Sequence, residues 1–435
     1  MTKSGTNEAE RGDGDGNPVP VAVPGTRPGA DRARTCVLVL DESPVSLWGL
    51  GAAERLKRQL RALDPSLLWI DSVESLPAQA RVLLLNGGYL FDARALAGLL
   101  ARDGVVLIDP RDGRSVAACV GPGEVVRAAA AVGGESQEPP AGLQRLAPDD
   151  LDVFDEALRS ARAPLLEPVS PERARELENL LYGNAYRGIT DLVTKFVWPR
   201  PARAVVHLCA RWRATPNHVT TWGFVLVLAA CWLFWNGHYF AGLAAGWLMT
   251  FLDTVDGKLA RVTVQSSQFG HLFDHAIDLI HPPFWYVFWG LSLAPPVAIA
   301  VWGVNLEFAA LCWILVAAYV GGRIVEGLFP LLGDCSVFTW RPFDAWFRLV
   351  TARRNPCLIL LTGSALAGHP EWGFKAVVVW SVLTTGVLII RLLQGLAARL
   401  SGGPLTSWLS EDGAASGPHA TTFRVFAGTR SAYGG

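Results

Sequence analysis

The sequence predicts a multi-pass α-helical membrane protein, a six-helix bundle, with a smaller soluble α/β N-terminal domain in front of it. Three observations predict this. First, 51% of the 435 residues are hydrophobic and only 18% are charged, with a mean hydropathy of +0.28, whereas soluble domains typically carry about 25% charge. Second, the later half holds long uncharged runs, of which residues 219–235 are the clearest. Third, Lys and Arg gather in alternate connections between those runs, the pattern that orients spans in a membrane. The length allows two or three domains, each able to bury a core.

The bulk numbers also exclude classes. A net charge of -1, from 38 basic and 39 acidic residues, supplies no basic field for nucleic acid. Seven cysteines stand without a CxxC pair and read as free thiols. No basic stretch followed by an apolar run opens the chain, so no secretory signal peptide is expected. Residues 1–34, rich in Gly, Pro and Asp, read as a disordered tail.

Residues 35–150 read as the α/β domain. CVLVLD at 36–41 is a short buried strand, and 51–63 is a helix with Leu56, Leu60 and Leu63 on one face. SLLWID, RVLLLNGG and VVLID follow as strands, with a helix over 92–102. Alternating strands and helices predict a parallel sheet with crossovers. Asp41, Asp92 and Asp109 read as turn or strand-end residues. Neither GxGxxG nor GxxxxGK[ST] occurs, so the usual phosphate cradles are absent.

Residues 151–190 read as a linker with a helix, and 191–216 as an amphipathic interfacial segment mixing Leu192, Val193, Phe196 and Trp198 with Lys195, Arg200 and Arg203. The six helices of the 217–400 domain are expected near 217–237, 239–261, 270–291, 298–324, 355–371 and 373–393, each close to the ~20 residues that span a bilayer. Glu307 then falls inside the fourth helix, facing protein or water. Basic residues precede the first helix, follow the second, separate the fourth from the fifth and follow the sixth. Positive-inside topology therefore places both termini and the basic connections in the cytoplasm. A flexible C-terminal tail is expected over 401–435.

The informative segment is 253–278. Asp253 and Asp256 stand at i and i+3, and Asp274 and Asp278 at i and i+4, so each pair shares a helix face. Four carboxylates at the neck of an apolar bundle need compensation. A pair of divalent cations is the simplest, and oxygen-only ligands favour Mg²⁺ or Mn²⁺ over zinc. Gly257 and Gly270 allow close approach of a backbone or phosphate, and Arg261 is placed to clamp a phosphate oxygen.

This segment resembles the CDP-alcohol phosphotransferase (CDP-alcohol phosphatidyltransferase) family. The family signature D-x2-D-G-x2-A-R-x8-G-x3-D-x3-D stands complete as Asp253, Asp256, Gly257, Ala260, Arg261, Gly270, Asp274 and Asp278. The resemblance spans roughly residues 185–400. It implies a six-helix bundle with the motif across its second and third helices. It implies Asp253, Asp256 and Asp274 as metal ligands with Asp278 beside the metals, and Asp278 as the general base that takes the acceptor proton. Gly257, Ala260 and Gly270 would let the CDP moiety pack closely, and Thr215-Pro216-Asn217 is similar to the stretch where nucleotide contacts occur. Thr215 capping a helix with Pro216 in its first turn explains that stretch equally well. The implied partners are a CDP-alcohol donor (CDP-diacylglycerol or a CDP-linked small polyol), a hydroxyl acceptor with or without a phosphate, and the lipid bilayer, with a homodimer compatible. Among Arg323, Arg341, Arg348, Arg353 and Arg354, Arg323 is the favoured contact for an acceptor phosphate.

The N-terminal domain weakly resembles sugar-nucleotidyltransferase folds, and the domain order is similar to fused inositol-phosphate cytidylyltransferase and CDP-inositol phosphotransferase proteins. Residues 41–50 lack the Gly-rich nucleotide loop, so the domain reads as degenerate, structural or regulatory. The expected activity is transfer of a phosphoalcohol or phosphatidyl group with release of CMP, in phospholipid or headgroup synthesis at a bacterial inner (cytoplasmic) membrane. The competing readings are a transporter using intramembrane carboxylates and a non-enzymatic membrane scaffold.

Overall fold

A computed structural model describes residues 35–426 apart from 78, 137–140, 152–153, 156–159, 162–163, 187, 266–267, 302, 404 and 411–416. The segment 1–34, expected as a tail, lies outside the described residues. The N-terminal domain runs β1 (Thr35–Leu40), α1 (Ala52–Leu63), β2 (Leu68–Trp69), β3 (Arg81–Asn86), β4 (Tyr89–Phe91), α2 (Ala93–Leu100), β5 (Val105–Ile108), β6 (Ser115–Val120), α3 (Val125–Val132) and β7 (Gln144–Leu146). Its six-stranded sheet has the order β2-β1-β3-β6-β5-β7. Leu56, Leu60, Leu96 and Leu99 of α1 and α2 pack on one face. Val125, Ala128 and Val132 of α3 pack on the other. Covering on both faces explains why β1 and β3 are almost wholly apolar.

The sheet is mixed, which corrects the expected parallel one. β1 is parallel to β2 and β3, but β6 runs antiparallel to both β3 and β5. The cause is the tight connection at 109–114, where Gly113 takes φ +76°. So short a link joins antiparallel neighbours, because a parallel crossover needs about a dozen residues or more. Asp92 caps α2, its carboxylate accepting from the Arg94 amide at 3.0 Å.

Two short strands, β8 (Phe154–Asp155) and β9 (Ser160–Ala161), pair with each other. β10 (Leu166–Pro168) then pairs antiparallel with β4. α4 (Ala174–Asn184) buries Leu177 against Leu47 and Leu90. The later part of the expected linker is thus folded onto the α/β domain.

A single π-helical turn at Val193–Val197 leads into α5 (Pro199–Arg211). α5 buries Ala202, Val206 and Ala210 while Leu208 and the following Trp212 stay exposed. The bundle follows as α6 (Pro216–Trp235), α7 (Tyr239–Val262), α8 (Gln268–Leu291), a hairpin of β11 (Ile299–Val301) and β12 (Val304–Leu306), α9 (Phe308–Leu328), α10 (Pro342–Arg348), α11 (Arg354–Leu366) and α12 (Pro370–Leu400). Each of the six expected segments contains a helix, with the fourth shortened at its start. Three of them, Pro216–Trp235, Phe308–Leu332 and Pro370–Leu400, are long and apolar enough to cross a membrane. Only 28–33% of their apolar windows is buried inside the protein. An apolar helix with so much exposed apolar surface belongs in lipid, and the chain reads as an integral membrane protein. α11 has 13 residues and rises ~20 Å, short of the ~30 Å hydrocarbon thickness.

The fourth helix starts later than expected. Residues 299–306 form the β11–β12 hairpin, turning at Gly303 with φ +81°. Glu307 is consequently exposed at the N-cap of α9, outside the helix interior where the apolar run had placed it.

Inside the bundle, Trp285 and Trp289 are completely buried with Phe234, Leu315, Leu358 and Phe374. Their indole N–H groups donate to the carbonyls of Val227 at 3.2 Å and Pro370 at 2.9 Å, as buried tryptophans require. Phe234 occupies the place of a side chain at Gly242, so glycine is what lets α6 and α7 touch.

The expectation of a flexible C-terminal tail is corrected over its described part. Trp408, Leu409 and α13 (Ala420–Phe426), through Phe423 and Phe426, pack on Ala345 of α10 and on Leu349 just after it. The Gly188 amide donates to the Phe426 carbonyl at 3.0 Å. Aromatic residues widely spaced in a polar stretch found a partner surface that no local pattern announces.

Candidate active site

The site lies where α7 and α8 meet the first turn of α11. Asp253 and Asp256 sit one turn apart on α7, and Asp278 is on α8. Asp253 and Asp256 share one face of α7 through the helical turn itself, and tertiary packing brings Asp278 of α8 beside them. Arg354, in the first turn of α11, joins two of them: its Nη2 lies 2.5 Å from Asp253 Oδ2 and its Nη1 donates to Asp278 Oδ1. The fork geometry of a guanidinium suits this bridging role. The Thr220 hydroxyl on α6 donates to Asp256 Oδ2 at 2.6 Å.

Asp256 is 4% exposed, and its Oδ1 is buried with no hydrogen-bond partner. A buried carboxylate oxygen without a donor is costly, and a cation would satisfy it. The donor set is oxygen only, which fits Mg²⁺ or Mn²⁺. Among the described residues no three His, Cys, Asp or Glu groups form a ready-made metal cluster. Asp274 belongs to α8 one turn before Asp278, and its side chain is outside the described residues.

The other predicted positions fall around this centre. A side chain at Gly257 would meet nothing within 4 Å, so the surface of α7 beside Asp256 is open to a ligand. Ala260 is half-buried on α7, and Gly270 is half-buried in the first turn of α8. Arg261 and Lys258 turn to α4: both donate to the Ala185 carbonyl, at 2.8 and 2.6 Å. Thr215 is the N-cap residue of α6 with Pro216 in the first turn, and its hydroxyl makes no capping bond. Asn217 is exposed one position further on.

The arginines divide in a way their spacing does not show. Arg323 and Arg353 both pair with Glu326. Arg323 also lines a shallow cleft with Tyr319, Ser381 and Thr384. Arg354 is joined to the acidic centre. Its neighbour Asn355 is 3% exposed and donates to Asp191 Oδ1 at 2.9 Å. Asp191 in turn accepts from the amides of Val193 and Thr194 at 2.9 and 3.0 Å. The start of α11 is thereby tied to the interfacial segment. Thr220 and Asn355 were not visible as site residues, and Arg354 stood only as one of five candidate phosphate contacts, because their partners lie far away along the chain.

Comparison with known proteins finds similarity over the segment that carries this centre. Residues 213–402 match the family model of CDP-alcohol phosphatidyltransferase. The chain is homologous to cholinephosphotransferase 1 of Gallus gallus, 30% identical over 222 residues, which is 48% of this chain and 59% of that protein. It is 43% identical over 67 residues to the archaetidylinositol phosphate synthase of Pyrococcus horikoshii, covering 15% of this chain and 34% of that one. It is 39% identical over 67 residues to the phosphatidylinositol phosphate synthase of Mycobacteroides abscessus, covering 15% of this chain and 30% of that one. The matches therefore span less than two thirds of each relative. The N-terminal mixed-sheet domain lies outside the matched family region.

Proposed function

We propose that this chain is an integral membrane transferase that moves a phosphoalcohol or phosphatidyl group from a CDP-alcohol to a hydroxyl acceptor, releasing CMP. The observation that carries the reading is the convergence of Asp253, Asp256 and Asp278 beside the open surface at Gly257, within the segment that matches the family model. The names of the three relatives support the same reaction type.

In this reading the acceptor oxygen bonds to the β-phosphorus of the donor. The bond from that phosphorus to the bridging oxygen breaks, and CMP leaves with that oxygen. Asp278, half-exposed at the site, takes the acceptor proton. Asp253, Asp256, Asp274 and Asp278 would hold divalent cations, which supply charge to polarise the diphosphate and offset the leaving phosphate. Gly257, Ala260 and Gly270 give the donor room, and Thr215 and Asn217 sit at the edge of its approach. The basic connections gather at the same end of the bundle as the site, which supports a cytoplasmic face for both.

The test is CMP release by the purified protein, with Mg²⁺ or Mn²⁺ and a panel of CDP-alcohols and acceptors, CDP-diacylglycerol and CDP-linked polyols included. Wild type is expected to release CMP with at least one pair, and Asp278→Asn to lose it. No release across the panel, or full activity in Asp278→Asn, overturns the reading.

A further inference from the structure

α8 contains two consecutive prolines, Pro282 and Pro283, inside its helical span. A proline has no amide N–H, so each removes the bond to the carbonyl four residues earlier. Those carbonyls belong to Asp278 and Leu279. The prolines thus strip the backbone partners from the very turn that carries Asp278. In an apolar bundle an unpaired carbonyl is expensive, and proline is tolerated in such helices where a neighbouring helix supplies the missing donor.

Tyr319, on α9, reaches this break. Its hydroxyl lies 3.0 Å from the Leu279 carbonyl and 3.4 Å from the Asp278 carbonyl. The side chain is 8% exposed, held in the packed interface between α8 and α9. Only one proton is available, and the shorter contact takes most of it. The same residue lines the cleft shared by Arg323, Ser381 and Thr384.

We propose that Tyr319 is a positioning residue for Asp278: its hydroxyl replaces chiefly the amide donor that Pro283 removes at the Leu279 carbonyl, and so fixes the turn from which Asp278 works. Asp278 as the proton acceptor is taken from the proposed function above; the repair of the proline break does not depend on it. A break without a substitute donor would let the 278–279 turn shift, and small displacements of a reacting group are costly.

The decisive experiment crosses Tyr319→Phe with Pro283→Ala, and separately with Pro282→Ala, because each alanine restores one amide donor. In the wild-type background Tyr319→Phe is expected to lower kcat about five- to tenfold, the loss of one hydrogen bond. The KM for the donor should stay within about twofold, since the hydroxyl does not hold substrate. In the Pro283→Ala background the same substitution should leave kcat unchanged. Thermal unfolding gives a second reading independent of activity: Tyr319→Phe should lower Tm by about 2–4 °C beside the prolines and by less where the donor is restored. A kcat for Tyr319→Phe equal to wild type, a rise in KM alone, or equal Tm losses in both backgrounds would overturn the proposal. If wild type releases no CMP from any donor, the transferase reading fails, and the Tm cycle still decides the role of Tyr319.

Discussion

Arg55 of α1 donates through Nη2 to the carbonyl of Val262, the last residue of α7, at 2.8 Å. The same nitrogen reaches the Leu47 carbonyl at 3.1 Å, and Arg58 Nη1 reaches the Thr263 carbonyl at 2.9 Å. The last carbonyls of a helix have no donor within it, and its C-terminal end carries partial negative charge. Two arginines of the soluble domain therefore cap the helix that carries Asp253 and Asp256. Burial, helped by the neighbouring Arg58, pulls Arg55 down to about 10, so it remains charged at neutral pH. The α/β domain acts here as a brace on the end of α7, whatever else it does.

Arg55→Ala should accordingly loosen the junction. Arg55 is 4% exposed, and losing its charged bonds to two buried carbonyls should cost about 2–3 kcal/mol. The expected signs are a lower Tm and faster proteolysis in the connection between the α/β domain and α5, with Arg55→Lys intermediate. Unchanged protease sensitivity and Tm in Arg55→Ala would show that the contact does not brace the helix.

A second ionic group ties the α/β domain together. Asp109 is buried at the end of β5, and Arg111 bonds to it at 2.9 Å while reaching Glu167 at 2.6 Å. Burial pushes the Asp109 carboxyl up, but hydrogen bonds from the Arg111 side chain and amide, with its charge, outweigh burial and hold it below its ordinary value. A depressed carboxyl contributes stability that is full above the unfolded value, ~3.9, and is lost as pH falls through the folded one. Arg111→Ala should therefore unfold at a lower temperature than wild type at pH 7, with the gap closing below about pH 4. A Tm gap that stays constant from pH 7 to pH 3 would contradict this account.

What could be read ahead of the structure follows the reach of the interactions. The pairing of Asp253 with Asp256 is local, because one helical turn decides which side chains share a face. The long apolar helices were legible for the same reason. Arg354 was legible only as one of five candidate phosphate contacts and its pairing with the carboxylates was not, since its partners Asp253 and Asp278 come from other helices and the arginine sits in a basic cluster that also serves topology. The strand Ser115–Val120 passed unnoticed because a short apolar run without alternation fits several states, and with it went the mixed sheet. Pro282-Pro283 did carry a signal, two missing donors, but the donor that replaces them is on another helix. Trp408, Phe423 and Phe426 looked like a tail for want of any period.

Asp256 offers a graded test of the acidic centre. Its Oδ2 accepts from Thr220, while its Oδ1 is buried and unpaired. Thr220→Val removes this donor and should lower CMP release about three- to tenfold through the lost hydrogen bond. Asp256→Asn removes the charge that a cation or developing phosphate would meet, and should lower it by about a hundredfold or more. The measurement is initial CMP release at saturating donor and acceptor. Equal losses for the two variants would mean that Thr220 does more than orient Asp256, and no loss in Asp256→Asn would remove it from the site.

Arg354 provides the sharpest prediction, because it stands where charge must balance. Its guanidinium bridges Asp253 and Asp278 from the start of α11, and Asn355 beside it is anchored to Asp191. A guanidinium and a divalent cation compete for the same carboxylate oxygens, so removing the first should favour the second. Arg354→Met is expected to bind Mn²⁺ about tenfold more tightly than wild type, the scale of one charge-assisted hydrogen bond. Arg354→Lys, which keeps the charge without the fork, should fall between them. Electron paramagnetic resonance of free Mn²⁺ reads the binding without any turnover. Asn355→Ala should shift Mn²⁺ binding in the same direction but less, by freeing the end of α11 from Asp191. Weaker Mn²⁺ binding in Arg354→Met would mean that the arginine helps to assemble the cation site and does not compete with it.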